Sequence, residues 1–373
     1  MLLGYDARSS QPLGTLRHYP EANTMMRYVY YDFSFIYSGD FKAPPGQVAV
    51  SAKSATYLID QALHDVVTSE MTCIDIVTIL TSHGCADLTS ALDESACSKY
   101  PIANGGFGDV FHGQLVDGMA VAIKTIRAYY DQDQMARMYH KRAAKEIYTW
   151  SKCKHPNVVE LIGSAVFHDC LAMISRWEEN GNLLNYLSNH PSADRCVLST
   201  SICAGLAYLH ENDIVHGDLK GANILIAADG RPMLMDFGNA SLLGATLQFT
   251  QTNKGPSFSL RWTAPEILQG TSSHTVEADV YSLGMTILEV FTSKIPFADK
   301  SHKSLVAHIV LSKRTPTRPE TIIPSRSING NTLWDILTRC WALDPKDRPS
   351  ARVVWDKMKP ITPETLKELK AEQ

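Results

Sequence analysis

The chain has 373 residues, 45% of them hydrophobic and 20% charged, a composition that excludes a disordered chain and is long for one minimal domain. Lys plus Arg number 35 against 39 Asp plus Glu, a formal net charge of −4, which argues against a bulk electrostatic DNA or RNA binder. The eight cysteines are scattered with no Cys-x-x-Cys pair, so neither a zinc site nor a disulfide scaffold is indicated, and free, mostly buried thiols in a reducing compartment are expected. No apolar run reaches the length of a membrane span, and the first ten residues carry Asp6 and Arg8 with no apolar core of a secretory leader. A cytoplasmic chain with no membrane span is therefore expected.

Residues 1 to about 50 read as irregular, with an aromatic patch from Tyr28 to Tyr37 and a break at Ala43-Pro44-Pro45-Gly46. Ile59, Ala62, Leu63 and Val66 fall at helical spacing. A second short helix is expected from Cys73 to Ser82. Thr72 with Asp75 three residues later forms a capping-box variant, Ile76, Ile79 and Leu80 make the apolar face, and Gly84 ends it. Two such helices bury too little to fold alone, so this extension, residues 1–99, is expected to pack on the rest of the chain. There it can bias a neighbouring helix or present Ile59, Leu63, Ile76 and Leu80 to a regulatory partner.

From about Tyr100 the pattern changes. Val110–Leu115 and Met119–Ile126 are strand-like runs separated by Val116-Asp117-Gly118, a hairpin signal. A helix with Ala143, Ile147 and Trp150 on one face comes next. Beyond Gly181 the chain reads as mostly helical: Leu198, Ile202, Leu206 and Leu209 form one stripe, and Val280–Phe291 is a buried core helix interrupted by Ser282, Gly284, Thr286 and Glu289. A strand-rich half before a helix-rich half predicts an α+β chain of two lobes. Thr362–Gln373 reads as a short, charged helical tail.

The chemistry-bearing residues cluster in four places. Ala103-Asn104-Gly105-Gly106-Phe107-Gly108-Asp109-Val110 leads into the first strand run; glycines let a backbone approach a polyphosphate, although such loops are also common turns. Lys124 ends the strand Val121-Ala122-Ile123, where a cleft-facing ammonium needs an anion, either a phosphate or Glu146 on the next helix; a snorkelling surface lysine is the plainer alternative. Between two apolar runs lies His216-Gly217-Asp218-Leu219-Lys220-Gly221-Ala222-Asn223. Asp218 can take a proton from an attacking hydroxyl, Lys220 can neutralise a moving phosphoryl group, and Asn223 offers a neutral oxygen to Mg²⁺. Asp236, in Asp236-Phe237-Gly238, supplies a carboxylate for the same ion. Singly each reads as a turn; jointly, in this order, chance is a poor explanation.

These residues, with Ala264-Pro265-Glu266, Asp279-Val280-Tyr281-Ser282-Leu283-Gly284, Asp347-Arg348-Pro349 and His155-Pro156-Asn157, make the chain resemble the eukaryotic protein kinases from about Tyr100 to Met358, roughly 70% of its length. The resemblance implies a two-lobed protein kinase fold, with an antiparallel-sheet small lobe (100–173), a mainly helical large lobe (179–358) and a tail (359–373). It implies ATP and Mg²⁺ as cofactors and protein substrates, while the charge balance points to no nucleic-acid partner. Lys124 would hold the α and β phosphates and pair with Glu146, Asp218 would orient or deprotonate the hydroxyl, Lys220 would stabilise the transferred phosphoryl, and Asn223 and Asp236 would hold Mg²⁺. Ala103, Gly105, Gly106, Gly108 and Val110 would cover the nucleotide. Ser175 would sit at the back of the adenine pocket, with Arg176, Trp177 and Glu178 as its hinge, and Ala122, Trp177 and Leu225 would bind the cofactor. Glu266 with Arg348, and Asp279 with the catalytic-loop backbone, would be structural; breaking such a buried pair typically costs about 3–5 kcal/mol.

Lys220 two residues after Asp218 is similar to the serine/threonine-type loop. Arg261-Trp262-Thr263 before Ala264-Pro265-Glu266, and Cys340-Trp341, are similar to tyrosine kinases. The mixture resembles the tyrosine-kinase-like group, and His83-Gly84-Cys85-Ala86-Asp87-Leu88-Thr89 with His216-Gly217-Asp218 resembles members found in basidiomycete fungi. The chain departs from the family pattern at two positions. Ala103 replaces the first loop glycine, with altered nucleotide affinity expected. Gly217 replaces the arginine before the catalytic aspartate, so a phosphate on Thr246, Thr250, Thr252, Ser257 or Ser259 lacks a main partner and activation in the usual way is not expected. Tyrosine or dual specificity, a pseudokinase scaffold, and a small-molecule phosphotransferase (which also resembles His-Gly-Asp) stay open as alternatives.

Overall fold

The computed structural model describes residues 66–68, 70–104, 108–126, 133–242, 247–249 and 259–367, all within the compact unit Gln61–Gln373. The aromatic patch, Ile59, Ala62, Leu63, Gly105, Gly106, Thr246, Thr250, Thr252 and Ser257 lie outside the described residues. Val66, expected to close the first helix, is extended instead: β1 (Val66–Val67) pairs in parallel with β11 (Gln248–Phe249). Two adjacent β-branched residues favour an extended pair over a helix end.

Helix α1 (Cys73–Ser82) starts where the capping box places it. The Thr72 side chain accepts from the Asp75 N–H, and the Asp75 carboxylate accepts from the Thr72 N–H at 3.0 Å. Ile76 and Leu80 are fully buried in a cluster shared with Ala143, Ile147 and Tyr148 of α2 (Asp133–Ser151). Residues 84–98 then run over the small lobe. Gly163 makes this possible, because a Cβ there would sit 2.4 Å from the Ala86 oxygen. Its neighbour Ser164 exchanges main-chain hydrogen bonds with Ala86 and Leu88, each 2.8 Å.

The small lobe is one five-stranded antiparallel sheet: β2 (Ala103–Asn104), β3 (Gly108–Gln114), β4 (Ala120–Ile126), β5 (Leu161–Phe167) and β6 (Cys170–Arg176), in the order β2-β3-β4-β6-β5. The expected hairpin forms, with Gly118 at φ +91°. Period-two alternation divides the two faces. Phe111, Val121, Ile123, Ala165, Phe167, Ala172 and Ile174 form a core that Leu88, Leu92 and Cys97 cover from outside. The half-buried Val110, Ala122 and Lys124 lie on the opposite face, toward the second lobe.

The second lobe is mainly helical. Its described helices are α3 (Leu183–Asn189), α4 (Arg195–Glu211), α5 (Pro265–Leu268), α6 (Val276–Thr292), α7 (His302–Val306), α8 (Ile328–Cys340) and α9 (Ala351–Met358). The stripe Leu198, Ile202, Leu206 and Leu209 is buried along α4. Helix α6 is the hub, buried from Ala278 to Phe291 and packed against α4 and α8. Short antiparallel pairs carry the loops between α4 and α5: β7 (Ile214–Val215) with β10 (Ser241–Leu242), and β8 (Ile224–Ile226) with β9 (Pro232–Leu234). The α+β, two-lobed arrangement is as expected. The tail is not a helix over its described part: residues 363–366 form a turn, and burial of Leu366 on the core seats it there. All eight cysteines are free and six are buried. Among the described residues no helix is long and apolar enough to cross a membrane.

Candidate active site

Strand β4 places Lys124 opposite Val110 on one side and Met173 on the other, so its ammonium leaves the sheet toward α2 and the second lobe. Two carboxylates receive it: Glu146 Oε1 at 2.7 Å and Asp236 Oδ1 at 2.8 Å. Burial opposes each charge, yet the pairing wins for two of the three. Lys124 is held well above its ordinary range by Glu146 and then Asp236. Asp236 is held down at about 2, burial being outweighed chiefly by Lys124, with smaller help from His216 and Lys220. Glu146, only 4% exposed, is raised by burial that Lys124 offsets in part. Asp236 sits at φ +69°, a left-handed conformation that Asp tolerates better than most residues. Phe237 holds it there: fully buried, its ring stacks on Trp150 of α2 at 5.8 Å and meets His216 at 5.6 Å. From α2, Arg142 donates to the Gly238 carbonyl at 3.3 Å and to Asn239 Oδ1 at 3.1 Å.

The second cluster lies in the loop between β7 and β8. Asp218 Oδ2 accepts from Lys220 Nζ at 2.7 Å and from Asn223 Nδ2 at 3.1 Å, and Lys220 also donates to Ser259 Oγ at 2.7 Å. Asn223 Nδ2 donates to the Asp218 carbonyl as well, and the Asn223 carbonyl accepts from the Met235 N–H at 3.0 Å. That last bond sets Asn223 beside Asp236 and joins the two clusters. With its amide nitrogen committed, Asn223 keeps its amide oxygen for another partner. Among the described residues no group of three or more His, Cys, Asp or Glu could hold a metal. Asn223 and Asp236 could together offer hard oxygens to a cation, a donor chemistry that would suit Mg²⁺ with phosphate and water completing its shell. A shallow pocket beside Asp218 is lined by Ser259, Trp262, Thr263 and His274.

Buried carboxylates fix this loop from below. Asp279 of α6 accepts from the His216 N–H at 2.7 Å, the Gly217 N–H at 2.8 Å and His210 Nε2 at 3.0 Å. Its carboxyl is low despite burial, held there by His210, His216 and the Gly217 amide. Arg348 grips Glu266 through two bonds of 2.6 and 2.8 Å. Glu289, fully buried on α6, accepts through Oε2 from the Gly221 N–H and Trp262 Nε1, both at 2.9 Å. Burial pushes it up to about 7, against the pull of those two donors and of Lys220.

Glu289 carries a pH prediction. A carboxyl raised in the folded state stabilises the fold below its unfolded value and loses that contribution as pH rises through about 7. Between roughly pH 4.5 and 8, Glu289→Gln should gain stability over the parent by on the order of 3 kcal/mol. Denaturant midpoints of both proteins across that range test it, and a stability difference flat with pH contradicts it.

The structure thus brings Lys124, Glu146 and Asp236 together, and Asp218, Lys220 and Asn223 together, with the buried Ser175 in register with Ala122 on the neighbouring strand and Leu225 on β8. Ala103 pairs with Val110, and Gly108 opposes Ile126. The Trp177 N–H is taken by the Ala120 carbonyl at 3.2 Å, so within the expected hinge segment that amide is not free for a ligand. The sequence alone does not single out Arg142 as a site residue, and it names His216 only within the loop motif and Ser259 only as a candidate phosphorylation site, not as the partner of Lys220. Glu289 leaves a weaker signal, a carboxylate inside an otherwise apolar helix run.

The protein kinase domain family matches residues 98–358. The chain is 32% identical over 254 residues to Mitogen-activated protein kinase kinase kinase 3 of Arabidopsis thaliana, covering 67% of this chain and 40% of that protein. It is 27% identical over 273 residues to Serine/threonine-protein kinase STY46 of the same plant, covering 72% and 44%. With Mitogen-activated protein kinase kinase kinase A of Dictyostelium discoideum it shares 30% over 257 residues, covering 67% and 26%. The chain spans less than half the length of these curated relatives. The chain belongs to the protein kinase family.

Proposed function

We propose that this chain transfers the γ-phosphate of ATP to serine or threonine hydroxyls of protein substrates. One observation carries the reading: the bond from the Met235 N–H to the Asn223 carbonyl sets the Asp218–Lys220–Asn223 cluster against the Lys124–Glu146–Asp236 cluster. One cluster suits a polyphosphate and its counter-ion, the other an attacking hydroxyl. Lys124, aligned by Glu146, holds the α and β phosphates. Asn223 and Asp236 hold Mg²⁺, which supplies charge neutralisation across the phosphates when bound. Asp218 orients the acceptor hydroxyl and takes its proton, and Lys220, shared between Asp218 and Ser259, faces the charge on the moving group. Val110, Ala122, Ser175 and Leu225 line the adenine site. With the Trp177 amide engaged, the Glu178 N–H is the next hinge donor.

The serine/threonine class is supported by Lys220 and by the name that one relative, a serine/threonine-protein kinase, carries. The tyrosine-kinase-like assignment is supported by Arg261-Trp262-Thr263. The likeness to basidiomycete members remains our reading of the loop and of residues 83–89. Gly217 supports activation without a loop phosphate in the usual way. Its φ is +78°, and a Cβ there would lie 2.8 Å from the Asn239 oxygen, so this loop geometry has no room for an arginine. The test is transfer of labelled γ-phosphate to a generic acceptor protein with Mg²⁺, followed by phosphoamino-acid analysis. Phosphoserine or phosphothreonine is expected. Phosphotyrosine alone would move the chain to the other acceptor class, and no label despite nucleotide binding would overturn the reading.

A further inference from the structure

Tyr148 lies two residues beyond Glu146 on α2, and three structures meet on it. The His83 ring at the end of α1 packs edge-on to its ring at 5.7 Å. Lys152, over the same ring at 4.9 Å, donates to the His83 carbonyl at 2.9 Å, tying the end of α1 to α2. The Tyr148 hydroxyl accepts from the Leu247 N–H at 3.4 Å, in the segment between Asp236-Phe237-Gly238 and Ala264-Pro265-Glu266. Leu247 is 1% exposed and shares a core cluster with Val67, Ile76 and Leu80. Directly after Leu247, β11 pairs with β1, joining chain segments about 180 residues apart. A two-residue strand pair is marginal alone. Here Val67 is fully buried and α1 begins only six residues later, so side-chain burial seats the pair and the helix anchors it.

We propose that residues 66–83 form a brace that positions Glu146 from two sides, α1 backing the helix that carries it and β1 holding the segment after Gly238, with Tyr148 as the positioning residue that joins them. The inference rests on the proposed function of Lys124, Glu146 and Asp236 in holding nucleotide. The brace supplies from within the chain what a loop phosphate with an arginine before the aspartate would supply elsewhere, and Gly217 removes that second route. Because the strand pair is short, its release is a modest step. A change acting on residues 66–67 can therefore loosen β11 and α2 together.

The full chain tests this with two readouts that do not need turnover: hydrogen exchange of the 247–249 amides and affinity for Mg-ATP. Val67→Asp puts a charge into the buried seat. Tyr148→Phe removes only the hydroxyl and keeps the ring. Both should speed exchange at Leu247, and Val67→Asp also at Gln248 and Phe249, while weakening Mg-ATP binding about fivefold or more. Unchanged exchange in both variants overturns the brace. Faster exchange with unaltered Mg-ATP affinity overturns its positioning role. If Val67→Asp does not fold, Tyr148→Phe decides by the same two criteria. Failure of the proposed function itself would show separately, as no phosphoryl transfer by the parent chain.

Discussion

Asp218→Ala is expected to lower phosphoryl transfer by about 10²–10⁴-fold while leaving nucleotide affinity within a few-fold of the parent. The asymmetry comes from the way the two clusters are wired. The Asp218 side chain bonds to Lys220 and Asn223, and none of its hydrogen bonds reaches Lys124, Glu146 or Asp236. Truncation thus removes the carboxylate proposed to orient the hydroxyl and leaves the Lys124 contacts with Glu146 and Asp236 in place. The loop itself should survive. Asn223 keeps its 2.8 Å bond to the Asp218 carbonyl, Lys220 keeps Ser259, and Asp279 and Glu289 still hold the backbone amides of Gly217 and Gly221. Labelled γ-phosphate transfer and nucleotide binding, measured on the same preparation with a thermal melt, check all three statements. Turnover near the parent level would remove Asp218 from the proposed role.

The range of the contacts explains why some of this site was legible in the sequence and some was not. Asp218, Lys220 and Asn223 lie within six residues of one another, so their chemistry can be read from one loop. The Thr72–Asp75 capping box is equally local, and it placed the start of α1. Lys124 and Glu146 are 22 residues apart, and their pairing is legible as one of two ways to meet a cleft-facing ammonium; Asp236, 112 residues from Lys124, is expected only as a ligand of Mg²⁺, and its bond to the same Nζ is not legible. The β1–β11 pair was invisible. Val66 continued the helical spacing of Ile59, Ala62 and Leu63, and nothing near it points to Gln248. Tertiary pairing decided the conformation there, as it commonly does for isolated β-branched residues. Arg142 is an ordinary polar residue until the fold brings Gly238 to it, and Ser259, legible only as a candidate phosphorylation site, turns out to hold Lys220. Glu289 is the instructive omission. A carboxylate inside a helix buried on all sides requires donors, but nothing in the sequence says that Gly221 and Trp262 supply them.

Lys124→Met should abolish measurable transfer and, unlike Asp218→Ala, should also weaken nucleotide binding and the fold. One ammonium serves two carboxylates, at 2.7 and 2.8 Å, and methionine leaves both without it. Glu146 suffers more, being 4% exposed against 34% for Asp236, which can be reached by water. An uncompensated buried charge costs about 3–5 kcal/mol, and a carboxylate escapes that cost by taking up a proton. Burial already raises Glu146, and losing Lys124 removes the influence that chiefly lowers it. The folded variant then binds a proton that the unfolded chain releases, so its stability deficit is small at acid pH and grows as pH rises. Lys124→Met combined with Glu146→Gln should recover much of the lost stability above neutral pH and none of the transfer, because Gln needs no counter-charge yet restores no phosphate ligand. Melts of the two variants at pH 5.5 and 8, set beside their transfer rates, separate the structural duty of Lys124 from the one proposed for it toward phosphate. Should Lys124→Met lose as much stability at the lower pH as at the higher, the buried carboxylate would not be the cause, and a variant that still transfers phosphate would place the phosphate ligand elsewhere.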